Sequence, residues 1–237
     1  MMKPTLSDTS CQHCNARMHS IFKDFKGDQL GVLNDSKTCA HYKKGQYIFT
    51  ENGFPLGIFC INHGKVKLAT NGLDGKEQIL RLCKDGDILG YRALMSHDRY
   101  QSSAIALEDC SICFITKNTF FSLINNNQSL GFEIIKLLSH DLKQAQQSIV
   151  ALSQKNVRER MAEALLFIKA TYGLQEDGQT LNVVLSREEI ADFVGTSTES
   201  AIRLLSEFNQ DKIIQLEGKR IKLLDLGKLI KTANLQD

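Results

Sequence analysis

The sequence predicts an α+β protein in three successive parts: a β-rich N-terminal half, one long helix, and a C-terminal winged helix-turn-helix. Three observations predict it. Short β-branched and aromatic runs alternate with glycines from about Cys39 to Ile115. A row of apolar residues at three-to-four spacing runs from Ile135 to Leu152. The segment Leu185–Leu205 reads as two short helices across a glycine turn, with a hairpin pattern behind it. At 237 residues the chain is long enough for two small cores rather than one.

The β-rich half contributes Tyr47-Ile-Phe-Thr50, Gly57-Ile-Phe-Cys-Ile61, Lys65-Val-Lys-Leu68, Gln78-Ile-Leu-Arg-Leu82 and Ser111-Ile-Cys-Phe-Ile115, with Gly45, Gly64, Gly75, Gly86 and Gly90 at the turns. Strands this short at this spacing favour a compact antiparallel barrel or roll. After Phe120-Phe-Ser-Leu-Ile124 and the polar break Asn125-Asn-Asn-Gln128 comes the long helix, on which Ile135, Leu138, Leu142, Ala145, Ile149 and Leu152 form a heptad seam. So narrow a stripe suits a second copy of the chain across a two-fold axis, because a helix packed on its own domain presents a broader apolar face.

In the C-terminal part Ser186 and Glu189 form a capping box that starts a first helix, whose apolar face is Ile190, Phe193 and Val194, with Ala191 small where a second helix crosses. Gly195 supplies the positive φ that ends it, and Thr196-Ser197-Thr198 supplies hydroxyls to cap the next helix, which runs to about Phe208. There Ala201, Leu204, Leu205 and Phe208 face inward, which turns Thr198, Glu199, Ile202 and Arg203 outward together. An arginine grips guanine O6 and N7 with two hydrogen bonds and a carboxylate accepts from cytosine N4, so these four are the expected base-reading set. Glu199 and Arg203, four apart, equally suit an exposed ion pair. Ile213-Ile-Gln-Leu216, the turn Glu217-Gly218-Lys219 and Arg220-Ile-Lys-Leu-Leu224 read as the wing. Lys219 and Arg220, with Lys222 nearby and the cap residues Ser186 and Ser197, are the expected phosphate contacts. A two-fold dimer carrying two such helices expects a near-palindromic site on double-stranded DNA.

Composition bounds the rest. Net charge is only +2 and the chain from Asn156 onward is slightly acidic, so DNA binding must rest on a few placed cations rather than bulk charge. No run of about 18 apolar residues spans a bilayer and the N-terminus lacks a secretory core, from which a cytoplasmic protein is expected. No nucleophile–base spacing and no glycine-rich phosphate loop is present, so an enzyme is not expected. Seven cysteines, an odd count, suggest thiols or metal ligands rather than a disulfide framework. Only Pro4 and Pro55 are prolines, and no internal repeat is evident.

The order of these parts resembles the family of the cyclic-AMP receptor protein and the fumarate and nitrate reduction regulator, over almost the whole chain. The resemblance is carried by Tyr42-Lys-Lys-Gly45, Gly64-Lys-Val-Lys67, Asp74-Gly-Lys-Glu-Gln78, Gly86-Asp-Ile-Leu-Gly90, the run Leu152–Arg160 and the helix-turn-helix. It implies a double-stranded β-roll of the cyclic-nucleotide-binding, jelly-roll kind, and a division into a CxxC-bearing tail (1–17), a roll sensor domain (18–128), a dimerisation helix (129–156) and a winged helix-turn-helix (157–237). It implies base reading by Glu199 and Arg203 on a TGA-like core, RNA polymerase as a further partner, and an effector that shifts the winged domains between two orientations. Ile202 departs from the serine or glycine of the family, leaving a thymine methyl as its only base contact.

The sensing chemistry is less legible. Gly90, Tyr91, Arg92, Arg99 and Gln101 are the candidate effector-pocket residues. Gly90-Tyr91-Arg92 stands where the family carries a ribose-binding glutamate, Tyr100-Gln101 stands where it carries an arginine-serine pair, and Arg99, one place off, faces the other side of a strand. Cyclic AMP is therefore disfavoured and the effector is left open. Cys11-Gln-His-Cys14 is a CxxC, and Cys113 resembles the internal cluster cysteine of the family's oxygen regulator, which makes these three candidate ligands of an iron–sulfur cluster. Ser20 stands where a third N-terminal cysteine is expected; His13, His19 or Cys110 are alternatives to complete a site for iron or zinc. Cys60 and Cys83 read as small apolar strand residues, and a mobile tail is the plain alternative for Cys11 and Cys14. The rival functions are a cyclic-nucleotide-like sensor module, or a metal or redox protein without sequence-specific DNA binding.

Overall fold

The computed structural model describes residues 10–72 and 75–234. Residues 1–9 of the expected tail, Pro4 among them, lie outside the described residues, as do Asp74 and residues 235–237. Contacts divide the chain into two units, Met1–Thr70 with Cys83–Leu142 and Asn71–Leu82 with Lys143–Asp237.

In chain order the β-rich half comprises a short 3-10 helix (Ala16–His19), α1 (Gly27–Ser36), β1 (Lys37–Tyr42), β2 (Tyr47–Phe49), β3 (Gly57–His63), β4 (Val66–Asn71), β5 (Glu77–Cys83), β6 (Ile88–Leu89), α2 (Tyr91–Ser96), β7 (Ser103–Ala106), β8 (Cys110–Thr116) and α3 (Lys117–Asn125). The strands form two four-stranded sheets, in the orders β1-β8-β3-β6 and β2-β7-β4-β5. One core cluster includes Ile48, Ile61, Val66, Leu68, Leu89, Ala104 and Ile112. A second includes Ile58 and Ile115 with Phe22, Phe25, Leu33, Tyr91, Phe120, Leu130 and Ile134. β8 is therefore covered on both faces, which is why it reads as a continuous apolar run instead of alternating.

The five expected strands are β2, β3, β4, β5 and β8, each within three residues at either end. β1, β7, α1, α2 and the 3-10 helix were not foreseen. In β7 all four residues are buried, but serine and alanine give no alternation to read. In α1 only Leu33 is buried. The segment around the CxxC is a correction: from Ser10 onward it is packed, not a mobile tail. Cys11 and Ala16 are buried. The Arg17 guanidinium staples the loop, donating from Nε to the Cys11 carbonyl (2.9 Å) and from Nη1 to those of Phe22 (3.0 Å) and Lys23 (3.0 Å). A boundary at residue 18 would cut the short helix in two.

A second correction concerns the cysteines. β1 pairs with β8 so that Cys39 lies directly opposite Cys113, and the two are joined by a disulfide. Opposed residues of antiparallel strands bring their side chains together on one face, which permits the bond that an odd cysteine count argued against.

α4 (Gln128–Gln154) is the long helix. Leu130 and Ile134 are buried in the second core cluster, and Leu138 packs against it. The other seam residues stay outside it: Ile135, Leu142, Ile149 and Leu152 are 58%, 60%, 66% and 56% exposed, and Ala145 is exposed. The second unit continues with α5 (Val157–Tyr172), α6 (Arg187–Val194), α7 (Thr198–Gln210), β9 (Ile214–Glu217), β10 (Arg220–Leu223) and α8 (Leu226–Thr232). Its interior holds Met161, Leu165, Ile190, Ala191, Leu204, Leu205 and Phe208, all below 5% exposed. Among the described residues no helix is long and apolar enough to cross a membrane.

Candidate nucleic-acid interface and cysteine cavity

The outward helix of the pair is held by local chemistry. Ser186 caps α6, its hydroxyl accepting from the Glu189 N–H at 3.0 Å while the Glu189 carboxylate accepts from the Ser186 N–H at 2.7 Å. Gly195 has φ 72° and ψ 53°, a left-handed conformation that ends α6 with its N–H bonded to the Ala191 carbonyl. Ser197 then caps α7 by accepting from the Ser200 N–H at 3.2 Å. Both serines expected at phosphates thus spend an oxygen lone pair on capping.

On α7 Ala201, Leu204, Leu205 and Phe208 are buried. Glu199, Ile202 and Arg203 are exposed, and Thr198 is half-buried beside them. With Ser206, Glu207 and Gln210, the three exposed residues line one shallow concavity along the helix. The expected Glu199–Arg203 pairing is not what forms: Arg203 Nη1 donates to Glu207 Oε1 at 3.0 Å. Glu207 is shared, its other oxygen accepting from Arg158 Nη1 at 2.8 Å, while Arg158 lies over the Phe208 ring. Glu199 is left to its own backbone N–H and the Ser197 side chain, which hold its carboxyl below the usual range, with the Lys76 charge adding to the effect. Lys76 Nζ also donates to the Thr196 carbonyl at 2.7 Å, and Gln78 Nε2 to the Asp192 carbonyl at 2.5 Å.

The wing is β9 and β10 around Gly218 and Lys219, paired Arg220 to Glu217 and Lys222 to Gln215. Lys219 and Arg220 are exposed at its tip. Lys222 is engaged by Glu217 at 2.7 Å. Sequence reasoning passed over Arg187: its Nη2 donates to the Gly218 carbonyl at 2.8 Å, while Nη1 is buried with no hydrogen-bond partner. Burial lowers the pKa of this guanidinium. Its only signal in the sequence is that it follows the cap residue Ser186.

The candidate effector residues each make separate contacts. Gly90, with φ 81°, caps the start of α2. Tyr91 is buried and its hydroxyl donates to Asp141. Arg92 is exposed. Arg99 lies over the Phe54 ring and donates to the Asn52 carbonyl, and Gln101 donates to Asp98. The space beside Gly90 is taken by Tyr100, stacked on Phe49 with ring centroids 4.0 Å apart. Burial raises the Tyr100 phenol to about 12.

The cysteine candidates, in contrast, are brought together. Cys11, Cys14 and Cys113 line one cavity of about 40 Å³, with Cys60, Ser20, Arg17 and Lys37 and an apolar wall that includes Phe22, Leu33 and Ile115. Cys60 is thus not simply a strand filler, as expected; Cys83 and Cys110 are, both packed in the other core cluster. His13, His19 and Cys110 do not line the cavity. Burial, with the nearby thiols of Cys11 and Cys14, pushes the Cys60 thiol up. Burial likewise raises Cys11, opposed by the Lys37 charge. Among the described residues no three His, Cys, Asp or Glu side chains are arranged to grip a metal ion as they stand.

Residues 39–127 match the model of the cyclic nucleotide-binding domain and residues 159–232 that of the Crp-like helix-turn-helix domain. The chain is 30% identical to the transcriptional activator protein anr of Pseudomonas aeruginosa, over 98% of this chain and 95% of the relative. It is 28% identical to the fumarate and nitrate reduction regulatory protein of Vibrio cholerae, over 95% and 90%. The fold is similar to that of FixK2 from Bradyrhizobium japonicum, with a TM-score of 0.74 at 23% identity, covering 85% of this chain and 99% of the other.

Proposed function

The chain belongs to the CRP/FNR family of transcription regulators, and on that premise we propose that it acts as a homodimer reading a near-palindromic DNA site through residues 197–208. One observation carries this reading: Glu199, Ile202 and Arg203 share the exposed face of a helix whose opposite face is buried. Arg203 is held by a single ion pair to a glutamate that already has a second cation, so exchanging Glu207 for a guanine edge costs little. Lys219, Arg220, Ser186 and Ser197 supply the phosphate contacts that set orientation, with Arg187 bracing the wing through the Gly218 carbonyl. The exposed seam of α4, Ile135 to Leu152, supplies the two-fold contact and with it the half-site spacing.

The division read from the sequence (tail 1–17, sensor 18–128, dimer helix 129–156, DNA-binding part 157–237) is kept for its last two parts, while the CxxC segment from Ser10 is counted with the sensor, on whose core Cys11 packs. RNA polymerase is the further protein partner, the protein acts in the cytoplasm, and it carries out no catalytic step. The sensor reads something other than cyclic AMP, because Tyr100 fills the space beside Gly90 and Arg99 is engaged by the Phe54 ring and the Asn52 carbonyl. Cys11, Cys14 and Cys113, the last once its bond to Cys39 is reduced, are its metal-binding residues; the sulfurs that line this one cavity are the donor chemistry that iron–sulfur or zinc centres use, and such a centre when bound supplies a redox- or metal-dependent signal.

Arg203→Ala tests the base-reading assignment. Binding to the preferred site falls by about 1–3 kcal/mol, while binding to unrelated duplex at the same salt is unchanged. Equal loss on every sequence refutes it.

A further inference from the structure

The first sheet carries a row of three sulfurs. Cys113 in β8 lies opposite Cys39 on one side and opposite Cys60 of β3 on the other. Directly opposed residues of antiparallel strands project to the same face. That face receives the loop bearing Cys11 and Cys14, so four cysteines from three chain segments, Cys11, Cys14, Cys60 and Cys113, line one small cavity. Ser20 also lines it, but its hydroxyl is committed on both counts: it donates to the Arg17 carbonyl at 2.8 Å and accepts from the Phe22 N–H at 3.1 Å. A neutral hydroxyl is moreover a hard donor, whereas zinc and iron–sulfur centres take soft thiolates.

We propose that Cys60 is the fourth thiolate of a soft-metal site with Cys11, Cys14 and Cys113, making good on the sheet the sulfur that Ser20 does not supply in the loop. This rests on the reading of Cys11, Cys14 and Cys113 as metal ligands. Arg17 and Lys37 line the same cavity and balance part of the charge that four thiolates bring. The site is loaded from the reduced protein. A dithiol reductant gives two electrons and two protons to the Cys39–Cys113 bond, leaving two protein thiols and the oxidised reductant as a disulfide. Cys113 is then released toward Cys60, and the four ligand thiols give up their protons to solvent as the metal binds. Cys39 is the alternative partner of Cys113, which makes the bridged and loaded states mutually exclusive.

The test uses the full chain, reduced with dithiothreitol under anaerobic conditions, freed of excess reductant and offered either ferrous iron with sulfide or Zn²⁺ alone. Bound iron, sulfide and zinc are counted per protomer. The wild-type protein is expected to hold one stable centre, and which arm fills it distinguishes a cluster from a single zinc ion. Cys60→Ala should lower affinity at least about tenfold, Ser20→Cys in that background should restore it, and Cys83→Ala, which removes a buried thiol from the other core, should bind as wild type. Co²⁺ on the wild-type protein gives a readout that does not depend on any variant folding: its absorption should be that of a tetrahedral ion with four sulfur ligands. Undiminished loading of Cys60→Ala, or a cobalt spectrum with three sulfurs or fewer, overturns the role of Cys60 alone. Wild-type protein that binds neither iron nor zinc overturns the site altogether, and with it the underlying metal reading.

Discussion

Truncating the seam of α4 tests the proposed dimer most directly. Leu142 and Ile149 are 60% and 66% exposed in the single chain, so changing both to alanine leaves the core intact and the fold stable. Each change removes three carbons, worth about 0.8 kcal/mol apiece when fully buried. With some three-fifths of each side chain still to be covered, a two-fold dimer loses about 6 kcal/mol over its four copies. At about 1.4 kcal/mol per decade the dimer dissociation constant rises at least a thousandfold. Sedimentation velocity over a concentration series reads this as a shift from dimer to monomer, with circular dichroism unchanged. DNA affinity should fall in parallel, because two half-sites are no longer bound together. An unchanged dissociation constant refutes the seam, and a double variant that unfolds refutes the claim that these side chains stand outside the core.

Three further outcomes follow from single features. Lys219→Ala, at the wing tip, should weaken binding evenly across sequences and lower the salt dependence by about one counterion, measured by titrations at several salt concentrations. Ser186→Ala removes the hydroxyl that caps α6 and should destabilise the DNA-binding part by about 1 kcal/mol in denaturant unfolding, with no loss of sequence preference in the protein that remains folded. Asp177 is held at about 2, first by the Thr180 hydroxyl and then by the Thr180 and Gln179 N–H groups. A depressed carboxyl contributes stability above its unfolded value near 4, and that contribution is lost as pH falls through about 2. Asp177→Asn should therefore flatten the stability profile between about pH 4 and 2 and nowhere else, as read by melts at stepped pH.

The helix-turn-helix was legible because its signals are local. A capping box, a glycine at the turn and an apolar stripe on α7 are fixed by residues three or four apart, and the structure keeps each of them. The heptad row of α4 was legible for the same reason. What the sequence could not show was partner choice. Arg203 has a glutamate four residues away in each direction and takes Glu207, because Arg158 from α5 already orients that carboxylate. Arg187 had no signal beyond its place after Ser186, since its role at the wing comes from a hydrogen bond to the Gly218 carbonyl, thirty-one positions on.

What occupies the space beside Gly90 was not legible, because it is set by side chains distant in sequence: Tyr100 stacks on Phe49 there. The cysteines make the same point in the opposite direction. By itself the sequence determined the order of the parts, the buried and exposed faces of α7 and the CxxC, all set by spacing along the chain. Only the tertiary structure decided that Cys60 joins Cys11, Cys14 and Cys113 on one cavity and that Cys39 is bonded to Cys113. Strand register sets those neighbours, and register joins residues as far apart as Cys39 and Cys113 through backbone pairing that no local spacing encodes.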